Sequence, residues 1–363
     1  MENVYIAFCK SIGSIRSPMA TPRLNPDIRR VAAEAGVSIA TVSRVLNNPD
    51  RVSPQTRERV LEIAARLGYQ PNPNGKRLRK GRAETIGLVI PSPQGRFADS
   101  FFLELLAGLG EGLSGVGLDL LVATCPPGAE ELTVYRRLVE GKRVDGLVVA
   151  RTRRQDERIA YLLEQNIPFV SHGRSDLITT PYPYLDVDGQ QGFYMATAHL
   201  LHLGHREIAF IGAPHELNFA AHRLAGYRQA MAEANLPLRL EWLLEGDLSE
   251  NSGYQLAQSL LEPPRLPTAI LCANDLMAIG VLRALRERGL QAGREVSVIG
   301  YDDIPQAQYT DPPLSTVHQP FRDTGKRLVE MLLARLAGVP VAALQEVWVP
   351  ELVLRGSDGP PPT

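Results

Sequence analysis

Apolar positions keep one rhythm up to residue 68 and another beyond residue 84. Ile28, Val31, Ala32 and Ala35 fall at i, i+3, i+4 and i+7, the spacing of one helix face. Asp27 is placed to cap that helix and Gly36 to stop it. Ser38 opens a second helix from Ile39 to Leu46, closed by Asn47-Asn48-Pro49. Ala32, Gly36 and Val42 supply a small residue, a turn glycine and a β-branched filler, which suits two helices crossing closely. Ser53-Pro54 starts a third helix, with Val60, Ile63, Ala64 and Leu67 on one face and Gly68 as its stop. The pair from Asp27 to Asn47 reads as a helix-turn-helix, whose second helix can enter a DNA major groove. A helical hairpin inside a core is the other reading of the same spacing.

Beyond Glu84, short apolar runs alternate with helical patterns. Strands are expected at 85–90, 118–123, 144–150, 168–171, 207–212, 268–273 and 296–300, and helices at 100–112, 130–140, 155–165 and 221–234. This βαβ alternation predicts α/β structure with parallel sheets covered on both faces. It runs twice, which predicts two similar lobes. Ligands of such sheets sit at the carboxyl ends of the strands.

Charge sharpens the division. The chain has a net charge of −1, yet residues 27–82 hold 12 Lys/Arg against 5 Asp/Glu, a net +7, so the rest carries −8. A basic end on an acidic body is the footprint of a nucleic-acid-binding domain joined to something else. Cys9, Cys125 and Cys272 form no metal or disulfide pattern and fit the reducing cytoplasm. No apolar run reaches membrane-spanning length, so no membrane association is expected. Residues 1–25 show no period and read as a disordered extension, with Met19 an alternative start.

The order V-A-x-x-A-G-V-S-x-x-T-V-S-R-V-L-N, then R-V-S, T-R-x-x-V and G-Y-x-P-N, resembles the headpiece of the lac/galactose repressor family of bacterial transcription regulators. The resemblance implies a homodimer on a palindromic double-stranded operator, with Ile39, Ala40 and Arg44 facing base edges. Ile39 and Ala40 offer apolar contact, for instance to a thymine methyl, whereas Arg44 reads a guanine or holds a phosphate. Ser38, Thr41, Ser43 and Asn47 can donate to phosphates, which position the protein without specifying sequence. Residues 26–68 are then the DNA-binding domain and 69–82 a hinge. In the family the hinge folds on DNA and wedges a leucine into the minor groove, here Leu78. Gly75 precedes it and weakens helix formation by up to about 1 kcal/mol relative to alanine.

For residues 83–356 the resemblance implies a two-lobed, periplasmic-binding-protein-like core that holds an effector between lobes and dimerises. The chain would cross between lobes near Asp188, Thr316 and Val341. Three stretches match effector-site signatures: His222-Arg223-Leu224-Ala225-Gly226-Tyr227, pointing Arg223 into the cleft; Cys272-Ala273-Asn274-Asp275, presenting Asn274; and Gly300-Tyr301-Asp302-Asp303, presenting Asp302. Guanidinium, amide and carboxylate together pair with vicinal hydroxyls, so a small sugar is the expected effector. An interlobe salt bridge is the competing role for Arg223 and Asp302, and capping the preferred one for Asp275 and Asp303. Phe101, Phe102, Phe219 and Leu248 are the expected apolar walls, with core packing the alternative for one of the adjacent phenylalanines. Arg151, Asp156 and His172 are weaker candidates. Residues 357–363 read as a disordered tail.

Two patterns are set aside. Gly110 to Gly115 fits G-x-G-x-x-G but lies within an expected helix rather than at a strand-to-helix turn. His199, His202 and His205 are spaced by three, but Gly204 breaks the helix before the last, so no metal site is expected. No nucleophile motif or cofactor fingerprint stands out. The reading is a ligand-controlled repressor of carbohydrate-utilisation genes. Its alternatives are a regulator answering to a purine or nucleoside co-repressor and a sugar-processing α/β enzyme.

Overall fold

A computed structural model describes residues 27–47, 49–69, 82–91, 100–126, 130–262, 264 and 266–362. The expected extension at 1–25, and the hinge apart from Tyr69 and Arg82, lie outside these residues, Leu78 included. The chain divides into two compact units at Gly81 and Arg82.

The first unit holds three helices, α1 (Ile28–Ala35), α2 (Ile39–Asn47) and α3 (Pro54–Leu67). Their ends follow from local chemistry. Ser38 Oγ accepts from the Thr41 amide at 3.1 Å and caps α2. Gly36 at φ 61° and Gly68 at φ 64° take the left-handed conformation that ends α1 and α3. Val31, Ala32, Ala35, Val42, Val45, Val60, Ile63 and Ala64 form the core. Arg66 on α3 bonds Glu34 on α1 at 2.6 Å.

The second unit has two parallel sheets. The first lobe orders its strands β11-β5-β4-β3-β1-β2: β1 (Thr85–Pro91), β2 (Asp119–Cys125), β3 (Gly146–Val149), β4 (Phe169–His172), β5 (Tyr184–Val187) and β11 (Gln345–Trp348). Helices α4 (Ser100–Leu113) and α11 (Phe321–Leu336) pack one face, and α5 (Glu130–Glu140) and α6 (Glu157–Glu164) the other. The second lobe orders β7-β6-β8-β9: β6 (Ile208–Gly212), β7 (Leu243–Glu245), β8 (Ala269–Cys272) and β9 (Ser297–Ile299). It is covered by α7 (Gly189–His202), α8 (Asn218–Glu233), α9 (Glu250–Leu260) and α10 (Asp275–Glu287). Burial on both faces explains why β1, β3, β6 and β8 are nearly all apolar.

The chain crosses between lobes at Asp188, which caps α7 by accepting from the Gln191 amide at 3.0 Å. It crosses back after β10 (Thr316–His318), which pairs antiparallel with β12 (Glu351–Val353). The third crossing is not at Val341. Val341–Ala343 is a 3-10 turn leading into β11, which pairs with β5, so the chain leaves the first lobe at Val349 and Pro350. The disordered tail expected at 357–363 is corrected at residues 357–359. Ser357 is buried, donates to the Val298 carbonyl at 2.6 Å and accepts from the Ser315 amide at 2.8 Å. Gly359 accepts from Ser297 Oγ at 2.9 Å. Small polar residues here complete the β9 edge, a role that composition does not reveal.

Candidate functional site

The cap residue Ser38 and, on α2, Ile39, Ala40 and Arg44 stand exposed, while Val42 and Val45 turn into the core. Ile39 is 46% exposed, a large apolar side chain that the headpiece core leaves free. Thr41 and Ser43 are half-buried, and the Thr41 and Ser38 hydroxyls lie 2.9 Å apart. The side chain of Asn47 is outside the described residues.

In the second unit a cavity of about 660 Å³, its open mouth included, lies between the lobes. Phe101, Arg151, His172, Phe219, Arg223, Leu248, Asn274 and Asp302 all line it. Each follows from its element. Phe101 sits at the start of α4, Arg151 follows β3, His172 ends β4, Phe219 and Arg223 sit in the first turns of α8, Leu248 follows β7, Asn274 caps α10, and Asp302 follows β9.

Arg223 is the central cation. It donates to the Ala273 carbonyl, lies 3.6 Å from Asp302, and has its guanidinium carbon 3.7 Å from the Tyr301 ring centroid and 4.4 Å from that of Phe219. Its pair with Asp302 is made within the second lobe, so it is not the interlobe bridge considered as the alternative. Arg223 Nε is buried with no hydrogen-bond partner among the described residues. Asp302, held at φ 112°, accepts from Gln319 Nε2 at 2.8 Å. Burial pushes its carboxyl up to about 6, against the pull of Arg223. Across the cavity, burial and the Arg223 charge push His172 down to about 4. Its Nε2 is likewise buried without a partner among the described residues. Burial also lowers Arg151 to about 10, and its guanidinium rests 4.9 Å from the Phe102 ring centroid. Asn274 caps α10 through Oδ1, 3.0 Å from the Met277 amide, and donates one N–H to the Leu248 carbonyl at 3.0 Å. The other N–H is available to a ligand.

The first lobe adds Asp186, held by Arg174 Nε at 2.7 Å, its carboxyl raised by burial against that arginine. The cavity thus presents donors and acceptors in close alternation between phenylalanine walls. That suits a neutral polyhydroxyl compound.

Residues 27–72 match the model of "Bacterial regulatory proteins, lacI family", and 197–357 that of a periplasmic binding protein-like domain. The HTH-type transcriptional regulator AglR of Rhizobium meliloti is 37% identical over 93% of this chain and 95% of its own length. The chain belongs to the lacI family. Among solved structures, a complex of the transcriptional regulator CelR with cellobiose is 33% identical over 92% of this chain and 99% of that one, with a TM-score of 0.71. A lac repressor dimer bound to operator and the anti-inducer ONPF is 32% identical over 92% and 98%, with a TM-score of 0.80. This lacI-family chain is a ligand-responsive, DNA-binding transcriptional regulator and not an enzyme. No helix among its described residues is long and apolar enough to cross a membrane.

Two candidates do not reach the cavity. Phe102 is 1% exposed and packs in the first-lobe core, because successive residues of a helix face different ways and Phe101 takes the cavity side. Asp156 caps α6 and pairs with Arg158, in the interior of the first lobe. The sequence reading missed Asp186, Asn218, His222, Gln319 and Phe321, which also line the cavity. His222 adjoins Arg223 in the flagged stretch. Gln319 and Phe321 follow a three-residue strand too short to show a period. The patterns set aside serve structure. Gly112 of the glycine run packs against Val329, His199 bonds Asp358 at 2.7 Å, and His205 bonds Thr268 at 2.9 Å. Asp275 accepts from Thr316 Oγ1 at 2.6 Å and the Ile304 amide at 2.9 Å, tying the crossover to its lobe.

Proposed function

We propose that this regulator is a cytoplasmic homodimeric repressor of carbohydrate-utilisation genes, released from a palindromic operator by a small sugar in the interlobe cavity. The observation that carries the sugar reading is the grouping of Arg223, Asp302 and Asn274 with Phe101 and Phe219 around one interlobe cavity. A carboxylate accepts from sugar hydroxyls, guanidinium and amide groups donate to them, and ring faces cover C–H surfaces. The cellobiose held by the CelR structure, similar over nearly the whole chain, supports a sugar of that size class. On DNA, Ile39 and Ala40 meet base edges as apolar groups, Arg44 supplies the polar readout or a phosphate contact, and Leu78 wedges the minor groove. Ser38, Thr41, Ser43 and Asn47 hold phosphates.

A thermal-shift screen of mono- and disaccharides, cellobiose among them, against purine bases and nucleosides tests the reading. A ligand that binds only the folded state stabilises it by about 2.7 kcal/mol at a hundredfold excess over Kd. The expected outcome is a rise of several degrees with at least one sugar and none with purines. Stabilisation by a purine alone would replace the sugar reading with the co-repressor one.

A further inference from the structure

Beneath the cavity, the first lobe buries an ionic cluster that contacts no ligand space. Arg158 is 1% exposed, Glu131 and Asp156 not at all. Every N–H of the Arg158 guanidinium is used. Nε and Nη2 donate to the two Asp156 oxygens at 2.9 and 2.6 Å, and Nη1 donates to Glu131 at 2.5 Å. The remaining two reach the carbonyls of Ala150 at 3.2 Å and Arg151 at 2.9 Å. Burial alone would raise the Asp156 carboxyl. Arg158 outweighs it and holds Asp156 below the usual range. Arg153 closes the cluster on the other Glu131 oxygen.

Two features separate this cluster from one that only holds the lobe together. First, Arg151 sits at φ 52°, a left-handed conformation unfavourable for a side chain with a Cβ. It occurs two residues after β3, and its carbonyl is one of the two that Arg158 grips. That turn carries the Arg151 side chain off the strand line and into the cavity. Second, the next residues meet the opposite lobe. The Asn218 amide donates to the Thr152 carbonyl at 2.9 Å, the Arg154 amide donates to the Glu216 carbonyl at 2.9 Å, and Arg153 and Leu217 form an antiparallel bridge. Asp156 itself accepts from the Arg153 amide at 2.9 Å. One buried cluster therefore fixes both the cation offered to the ligand and the backbone that meets the other lobe.

We infer that Arg158, with Glu131 and Asp156, is a positioning element for effector recognition: it holds 150–154 so that Arg151 enters the cavity and Thr152 to Arg154 bond the second lobe. This rests on the cavity being the effector site. An unpartnered flexible segment would present Arg151 in many orientations and pay for ordering it on binding, whereas a fixed one binds without that cost.

The test uses the full-length protein with Arg151→Ala, Arg158→Lys and the double variant, cellobiose as the titrated probe, and hydrogen exchange of the ligand-free protein. Lysine keeps the charge but cannot reach five acceptors in a plane. Arg158→Lys is expected to lower cellobiose affinity about tenfold, and the double variant to lose no more than Arg151→Ala alone, within about twofold, because the effect of Arg158 on affinity runs through the Arg151 side chain while its effect on the lobe contacts of 152–154 is read by exchange. Losses that multiply would overturn the inference. The exchange measurement separates this from failure of the sugar reading. If the wild-type protein does not take cellobiose, the effector class is wrong. The positioning claim still stands or falls on faster exchange at the Arg154 and Asn218 amides in Arg158→Lys, with β3 and α6 still protected. Unchanged exchange there overturns it. Should Arg158→Lys not fold, Glu131→Gln, which keeps the shape and removes one charge, is expected to give the same non-additive pattern and the same local exchange.

Discussion

Asp302 and His172 face one cavity with opposite displacements, and both follow from burial. The Asp302 carboxyl, raised to about 6, is ionised at neutral pH, while His172, lowered to about 4, stays neutral there. A hydroxyl donated to Asp302 favours the ionised form, so effector affinity should be flat above about pH 6 and fall as pH drops through it. For the ligand-free protein the sign is reversed. The raised folded value makes the Asp302 contribution to stability fully present below the ordinary carboxylate range and lost as pH rises through about 6. Calorimetric titration of the stabilising sugar from pH 5 to 8 checks this. Asp302→Asn should bind much more weakly and without the pH step, and a step persisting in that variant would assign it elsewhere. At this scale the sequence was legible where a side chain sits in a recognisable run, as with Arg223, Asn274 and Asp302. It was silent on Gln319, whose 2.8 Å bond orients Asp302, because nothing local marks a glutamine that arrives from a crossover.

At the scale of elements, long regular pieces were legible and short ones were not. The strands buried on both faces announced themselves by continuous apolar runs, as in Ile208–Gly212. Tyr184–Val187 did not. It is four residues long, carries Asp186 toward the cavity and lies between Pro183 and Asp188, so its period is hidden. The strand Gln345–Trp348 lies at a sheet edge with alternating exposure, and it moved the third crossover from Val341 to Val349 and Pro350. Helix packing supplies a sharper test. Gly226 on α8 approaches α7 so closely that a methyl group would overlap the Gln190 carbonyl. Gly226→Ala should lower stability by about 1–3 kcal/mol through overpacking, read as a fall in Tm. Operator binding well below that Tm should be unchanged. An unaltered Tm would mean the two helices separate easily.

For the whole molecule, the charge division matches the division of labour. A headpiece and hinge region at +7 is suited to phosphate, and the acidic remainder carries the cavity. The sequence conveyed this organisation because it resides in composition and long motifs. Which sugar fills the cavity depends on a three-dimensional arrangement that no single stretch encodes. An effector acts on DNA binding only through its different affinity for the competent and incompetent arrangements of the lobes. The direct measurement is operator affinity, by fluorescence anisotropy on a palindromic duplex selected by the protein itself. It is taken with and without the sugar that gives the largest thermal shift, for wild type and Asp302→Asn. The account predicts that saturating sugar weakens wild-type binding by about 5- to 150-fold, the usual range of allosteric coupling, and leaves Asp302→Asn unaffected at the same concentration. Equal wild-type affinity with and without bound sugar would contradict it.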